Sequence, residues 1–180
     1  MTAVSTFRQE LEAAVLERHC AHHPMTQKWA RGELGRDALM GWGIEHYHWI
    51  SNIRPSTFYK MARAPIDVRR ALLENLMDEE APDRPHLPIV LRFAEANGAN
   101  TVLPALREIY KFPEDVIEHF WLHCEADVEH GGRVFELLER HCTTEELRQM
   151  AIHWARESAK MRWFYFDGIY LHYELGYKLQ

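Results

Sequence analysis

The chain has 180 residues, of which 47% are hydrophobic and 27% are charged. This length and composition predict one globular domain over residues 1–180, with a substantial core. The net charge of −6 gives no reason to expect a nucleic-acid surface. No apolar run approaches the roughly 18 residues that a membrane span requires. We therefore expect neither nucleic acid nor a membrane as a partner.

Three cysteines, Cys20, Cys124 and Cys142, show no CxxC spacing and cannot all pair with one another. The N-terminus also lacks a signal-peptide pattern. Both features favour a reducing cytoplasmic location. We interpret the cysteines as small buried apolar residues, because activating basic neighbours are absent at helical spacing except for His19 beside Cys20.

Helical periodicity dominates the N-terminal half, and no convincing alternating strand pattern interrupts it. The first helix is amphipathic, and a break follows at His23-Pro24. Gly32 and Gly35 mark a second break. A long helix is predicted from residue 36 to about residue 64, with Pro55 as an expected kink. The apolar stripe of the next helix comprises Val68, Leu72, Leu73 and Leu76.

The C-terminal half of the chain is also predicted to be helical. Three prolines between residues 81 and 88 predict a non-helical connection, and Asn97-Gly98 ends a short helix that follows it. Another short helix is predicted over 103–110. The Phe112-Pro113-Glu114-Asp115 segment predicts the start of a long helix that runs to about residue 141. A capping box at Thr143-Thr144-Glu145-Glu146 predicts the start of the last helix. The sum is an all-α bundle of about seven helices.

The strongest chemical pattern is the spacing of His123, Asp127 and His130. Positions i, i+4 and i+7 stack on one face of a helix. Two imidazoles and a carboxylate that converge in this way suit iron, manganese or zinc. The competing interpretation is a hydrogen-bonded polar face without a metal.

A second group of possible ligands lies earlier in the chain, where Asp78-Glu79-Glu80 is followed by His86. Three acidic residues at a helix C-terminus oppose the helix macrodipole, and a bound cation would offset that cost. Taken alone, the acidic run is typical of a solvated helix end. Together with the triad and His86, it favours a metal site that draws on both groups.

A third cluster is Glu45-His46-Tyr47-His48. A Glu and a His three positions apart resemble the ligand pairs of four-helix di-iron bundles. We favour pocket lining over metal binding here, and we expect Tyr47, Trp49 and Trp121 to line a substrate cavity. The remaining large aromatic residues are interpreted mostly as core: Trp29, Trp42, Tyr59, Trp154, Trp163 and Phe166.

Several motifs together resemble the heme-oxygenase-like helical proteins, the group that contains pyrroloquinoline quinone synthase, the TenA thiaminases and the di-metal oxidases. The likeness rests on His23-Pro24 with Trp29, on Ile44-Glu45-His46-Tyr47, on the run 72–80 with His86, on 120–131, and on 164–170. The di-metal oxidase branch is the most similar. That resemblance implies a single heme-oxygenase-like bundle whose metal ligands are Glu79, His86, His123, Asp127 and His130.

One part of the family pattern is shortened. The family carries a further helix before the final metal helix, and that helix supplies another ligand glutamate that bridges two metals. Here His123 follows His86 by only 37 positions, and Asn100-Thr101 joins the flanking elements almost directly. Glu45, Glu95, Glu108 and Glu118 are the candidate substitutes. Loss of the helix should uncover apolar surface, so we expect a homodimer that covers it.

The resemblance implies an iron-dependent oxidoreductase that uses O2 to oxidise a small organic molecule in cofactor or natural-product biosynthesis. The expected cofactor is Fe(II), as one or two ions, with manganese as the alternative. Residues that act on the substrate cannot be read from the sequence. Two other functions stay open: a metal-free, cofactorless oxidase of the pyrroloquinoline quinone synthase type, and a non-catalytic, shortened family member that acts as a binding protein.

Overall fold

The computed structural model describes residues 5–80, 103–118 and 132–178. These ranges contain helices and turns without a strand, which confirms the all-α prediction. A 3-10 turn spans Cys20–His22, and a π-helical segment, Tyr170–Glu174, extends the last helix. The described ranges contain the helices α1 (Thr6–Leu16), α2 (Pro24–Ala30), α3 (Arg36–Met61), α4 (Ile66–Glu79), α5 (Leu103–Glu108), α6, whose described part is 132–141, and α7 (Glu145–Ile169).

The helix starts follow local capping chemistry. The Ser5 hydroxyl accepts a hydrogen bond from the Arg8 amide at 3.2 Å, which caps α1. Thr144, not Thr143, caps α7, and its hydroxyl accepts from the amide of Leu147 at 3.3 Å. The third helical position is therefore Leu147 rather than a glutamate. The predicted capping box is replaced by a simple threonine cap.

The predicted long helix does not begin at Phe112-Pro113-Glu114-Asp115. Residues 111–117 form turns instead, and Lys111 adopts a positive φ of 56°. The Phe112 amide donates back to the Leu106 carbonyl at 3.0 Å, which closes the end of α5. The turn places Ile117 in the core, where it is fully buried. Burial of that side chain outweighs the local helix-start signal. The short helix predicted near Asn97-Gly98 lies outside the described residues.

Two apolar clusters form the core. The larger one joins α2, α3, α5 and α7, and at its centre the rings of Trp29 and Trp42 meet edge to face at 5.4 Å. Its buried members are Met25, Trp29, Leu34, Ala38, Leu39, Trp42, Leu106, Ile117, Phe166 and Ile169. The smaller cluster packs α1 against α7 and includes Phe7, Leu11, Ala14, Cys142 and Ile152.

The expected aromatic core is only partly correct. Trp29, Trp42 and Phe166 are buried, whereas Tyr59 and Trp154 are 84% and 59% exposed. Trp154 belongs to an apolar row on the outward side of α7, which we call the outer stripe. The outer stripe comprises Leu147, Met150, Trp154, Met161 and Phe164, all of them exposed. None of the helices in the described ranges is long and apolar enough to cross a bilayer.

Polar contacts fix the C-terminal segment against the start of α3. The Glu174 carboxylate pairs with Lys28 and also accepts the Gly35 amide at 2.9 Å. The Tyr110 hydroxyl donates to the Leu34 carbonyl and accepts from the Leu34 amide, both at 3.0 Å. Helix α3 itself runs without interruption through Pro55. The Glu174 contacts hold the π-helical extension of α7 against α2 and the start of α3.

A substitution at Gly41 tests how closely this segment approaches α3, because Gly41 is buried in α3 directly beneath the ring of Tyr173. A Cβ built at Gly41 would lie 2.3 Å from two ring carbons of Tyr173. We expect Gly41→Ala to lower the free energy of unfolding by roughly 1–3 kcal/mol, the usual cost of overpacking. Urea denaturation measures the change.

Gly168→Ala on α7 is the matched control, because a Cβ there meets nothing within 4 Å. Helix propensity alone would then stabilise the protein by up to about 1 kcal/mol. Equal stability changes in the two variants would contradict the close approach of α3 to Tyr173.

Candidate active site

The predicted metal ligands are only partly within the described structure. Glu79 is the last residue of α4 and is half-buried. His86, His123, Asp127 and His130 lie outside the described residues. Across residues 5–80, 103–118 and 132–178, no group of three His, Cys, Asp or Glu side chains could hold a metal ion. The five-residue ligand set therefore stays a prediction.

The end of α4 has the acidic character that the sequence indicated. Asp78 and Glu79 lie in its last turn, Glu80 follows as the C-cap, and the last turn has no basic residue. Carboxylates at this end oppose the helix macrodipole. A divalent cation would offset that unfavourable placement, and carboxylate and imidazole groups together form a donor set that iron accepts.

A polar cluster lies between the inner faces of α3 and α7, and we call it the interhelix cluster. Its members are Glu45, Trp49, Arg162, Tyr165 and Tyr173. The Tyr173 hydroxyl donates to the Glu45 carboxylate at 3.4 Å, and the Trp49 and Tyr165 rings lie 5.2 Å apart. The Glu45 carboxylate thus contacts one phenol, and Glu45 and Arg162 both lie within electrostatic range of the Tyr165 phenol.

Arg162 is held within this cluster by aromatic faces. Its guanidinium carbon lies 5.4 Å from the ring centre of Trp49 and 5.8 Å from those of Tyr165 and Phe166. These are cation–π distances. The Nε atom of Arg162 and the hydroxyl of Tyr165 are both buried. Burial raises the pKa of Tyr165, so its phenol stays protonated at neutral pH.

The residues expected to line a pocket occupy different environments. His46 is buried and stacks on Trp42 at 4.1 Å, Tyr47 is half-buried, and His48 is exposed. Trp49 joins the interhelix cluster, whereas Trp121 lies outside the described residues.

The four glutamates proposed to replace the missing bridging ligand also differ in their surroundings. Glu45 accepts a hydrogen bond from Tyr173, Glu108 is exposed and Glu118 is half-buried. Glu95 lies outside the described residues.

Sequence reasoning missed Arg162, Tyr165 and Tyr173. A usable signal was present, because positions 162, 165, 166, 169 and 173 share one face of α7. A charged residue within an otherwise aromatic and aliphatic face is unusual. Glu45, which accepts the hydrogen bond from Tyr173, lies 128 positions before that tyrosine, a separation that local spacing cannot show.

His23 anchors the start of α2 against α7. It is fully buried, and its Nδ1 accepts from the Met25 amide at 3.0 Å. The proton must therefore reside on Nε2, which donates to the Asp167 carboxylate at 3.0 Å. Burial lowers the pKa of His23, and the bond to Asp167 opposes that shift. The neutral imidazole is the form that fits.

The cysteines do not form a nucleophilic site in the described residues. Cys142 is buried, and burial raises the pKa of its thiol. This confirms its interpretation as a small apolar residue. Cys20 is half-buried and unpaired, and Cys124 lies outside the described residues.

Family comparisons agree with this helical architecture. The TENA/THI-4/PQQC family model matches residues 11–101, and a model described as an iron-containing redox enzyme matches residues 97–163. The first match covers half of the chain. The protein belongs to the TENA/THI-4/PQQC family, as the sequence resemblance implied. The two matches together indicate an oxidoreductase-type enzyme.

Several curated relatives carry the name 4-aminobenzoate synthase. The Nitrosomonas europaea protein is 21% identical over 230 aligned residues, which span 95% of this chain and 94% of that protein. The Chlamydia pneumoniae and Chlamydia muridarum proteins are 28% and 29% identical, over 64% and 67% of this chain. The chain spans about half the length of these chlamydial relatives, 52% in each case.

The Nitrosomonas alignment bears on the shortened middle. Its 230 positions exceed the 180 residues of this chain by 50, so that relative contains internal sequence without a counterpart here. The two family matches meet at residues 97–101, which include Asn100-Thr101. The comparison does not place this additional sequence along the chain, so the loss of a helix between the two halves stays a prediction.

The buried His23 predicts a pH-dependent stability. Because its pKa is lowered in the folded state, the unfolded chain binds the proton more readily. The contribution of neutral His23 is present above the unfolded pKa of about 6.5 and is lost as pH falls towards the folded value. We expect the free energy of unfolding to fall between pH 7 and pH 5.

His23→Asn isolates this effect, because asparagine still caps α2 but does not titrate. His19, whose pKa is also lowered by burial, remains in both proteins. The loss of stability between pH 7 and pH 5, from urea titrations, should be smaller in His23→Asn than in the wild type. Identical losses would exclude His23 as the titrating group.

Proposed function

We propose that the protein is an iron-dependent oxidase or oxygenase that consumes O2 and forms an aromatic amine carboxylate of the 4-aminobenzoate class. The product class comes from the names of the relatives. Iron is supported by the family match over residues 97–163. The substrate is a small organic molecule that the active site oxidises.

One observation carries the proposal. The region that matches the iron-containing redox enzyme model includes His123, Asp127 and His130, the three residues with helical metal-ligand spacing. Glu79 and His86 fall in the other family match. The ligand set therefore draws on both halves of the chain, as a site inside a helical bundle requires.

The charges of the ligands fit one divalent ion. Glu79 and Asp127 supply two negative charges, and the histidines bind as neutral imidazoles. A second ion in a dry interior would need further carboxylates to balance it. We therefore propose one Fe(II), which supplies the redox chemistry when bound. Since protons compete for the imidazoles, metal affinity should fall in acid.

Two other functions compete with this one. A metal-free, cofactorless oxidase would use histidine and tyrosine side chains, and the buried His46 and Tyr165 are of the required types. A non-catalytic binding protein is favoured by the missing 50 positions relative to the Nitrosomonas protein. Both can be separated from the iron enzyme by measurement.

The decisive experiment compares metal content and O2 consumption in wild type, His123→Ala and Asp127→Ala, each purified with added iron. We expect each ligand variant to lose at least roughly tenfold in iron affinity, since even supporting groups cost that much. His153→Ala on the exposed side of α7 is the matched control and should behave as wild type. Elemental analysis and an oxygen electrode give the two readouts.

The outcomes assign the function. An active protein that contains no metal would leave the cofactorless oxidase as the correct description. Equal O2 consumption in wild type and in both ligand variants would support the non-catalytic protein.

We also propose that the protein is a homodimer that pairs through the outer stripe of α7. Leu147, Met150, Trp154, Met161 and Phe164 follow the three-and-four spacing of a coiled-coil seam. In an antiparallel pair, Trp154 would face Met161 of the second copy, and Met150 would face Phe164. The outer stripe is thus complementary to itself.

The available area is sufficient for such a pair. Large apolar side chains bury on the order of 100–250 Å² each. Five of them in each copy would bury roughly 1,000 Å² or more in total, which reaches the size of a specific interface. Glu157 lies at the centre of the outer stripe and pairs with Lys160 at 2.6 Å, so its charge is balanced there.

Charge substitutions test the dimer. We expect the wild type to be dimeric by light scattering and Met161→Glu to be monomeric at micromolar concentration, because an unpaired carboxylate would be buried. Met77→Glu, on an exposed position of α4, is the control and should remain dimeric. A monomeric wild type, or a dimeric Met161→Glu, would rule out pairing through the outer stripe.

A further inference from the structure

Two polar atoms on α7 are buried without hydrogen-bond partners. They are Nε of Arg162 and the hydroxyl of Tyr165, and neither has a partner among the described residues. Buried polar groups are nearly always paired, so each exception calls for an explanation. These two residues lie three positions apart, on one face of α7. Since none of the described residues satisfies these donors, we look for their partner in a bound ligand.

The environment of Arg162 leaves its donors free for such a ligand. Trp49, Tyr165 and Phe166 surround the guanidinium through their ring faces, and ring faces do not use the N–H groups. Within residues 5–80, 103–118 and 132–178, Arg162 makes no ion pair. A guanidinium held in this way presents a planar pair of donors, the geometry that a carboxylate accepts.

The interhelix cluster also carries an acceptor. Glu45 lies one turn before Trp49 on α3 and accepts a long hydrogen bond of 3.4 Å from Tyr173. Its charge acts on Tyr165 as well as on Tyr173, which places it within electrostatic reach of both phenols. Because Arg162 acts on Tyr165 too, a cationic donor and an anionic acceptor both lie near that phenol.

We propose that Arg162 and Tyr165 bind the carboxylate of an aromatic amino acid-like ligand, whose ring packs against Trp49 and whose amino group is accepted by Glu45. The ligand class rests on the proposed function, since 4-aminobenzoate carries a carboxylate and an amine at opposite ends of one ring. Arg162 and Tyr165 would then be specificity determinants that recognise the charged end. Neither is needed to hold the metal.

Equilibrium binding tests the proposal without turnover. Full-length protein, purified without added iron, is titrated with 4-aminobenzoate, and with 4-aminobenzamide, which keeps the ring and amine but lacks the charge. Isothermal titration calorimetry gives both affinities. A charge-assisted pair predicts that wild type prefers the carboxylate by about tenfold or more.

The variants locate this preference. Arg162→Met should abolish the preference for the carboxylate and leave the binding of the amide nearly unchanged. Arg162→Lys should restore part of it, because the charge is kept and the fork geometry is lost. Tyr165→Phe should lower the affinity for 4-aminobenzoate by a few-fold. Arg70→Met, an exposed arginine on α4, is the control and should match wild type.

The affinities of wild type and Arg162→Met for the two ligands form a double-mutant-type cycle. The cycle separates the Arg162–carboxylate interaction from a general loss of folded structure. Circular dichroism of each variant verifies its helix content. Equal weakening of both ligands by Arg162→Met, or no binding of 4-aminobenzoate to wild type, would overturn the proposal. If the proposal of an iron enzyme is wrong, the oxygen electrode will show no metal-dependent O2 consumption. That result does not change the two ligand affinities.

Discussion

The packing of α7 across α2 and α3 is the contact on which the rest of the structure depends. Phe166 and Ile169 enter the same buried cluster as Trp29 and Trp42. Each large apolar side chain buried in this way contributes about 1.5–3 kcal/mol. The polar contacts of Glu174 and of the His23–Asp167 pair lie at the margins of that cluster. Apolar burial thus supplies the free energy, and the hydrogen bonds fix the register.

The position of α7 has a functional consequence, because two faces of this helix have different contacts. One face carries Phe166 and Ile169 into the core and also presents Arg162 to Trp49 of α3, and the outward face carries the outer stripe. The helical repeat of 3.6 residues keeps these faces distinct over the 25 residues of the helix. A shift of α7 by one residue would rotate it by about 100° and separate Arg162 from Trp49.

Much of the fold could be predicted from the sequence, because helix periodicity and capping are local. The bounds of α3 and α5 were expected to within a few residues. The start at Phe112-Pro113 was wrong because burial of Ile117, a tertiary effect, outweighed a local signal. Tyr59 and Trp154 were placed in the core because an aromatic residue does not reveal which side of its helix faces inward.

The candidate site also has one part that the sequence could predict and one part that it could not. The triad of His123, Asp127 and His130 could be proposed because its members lie within eight positions of one another. The interhelix cluster could not, because Tyr173 reaches Glu45, and Arg162 reaches Trp49, only when the C-terminal part of the chain packs on α3. Long-range pairs of this kind need the fold before they can be seen.

The shortened middle of the chain affects these two halves of the site differently. The two family matches overlap at residues 97–101, between His86 and His123, so the predicted loss of a helix there would fall between the predicted metal ligands. The contacts that define the interhelix cluster join α3 to α7 and its π-helical extension. Binding of an aromatic carboxylate can therefore persist even if the metal half is impaired. For this reason, ligand affinity and metal content are independent measures of how much of the family's chemistry the chain retains.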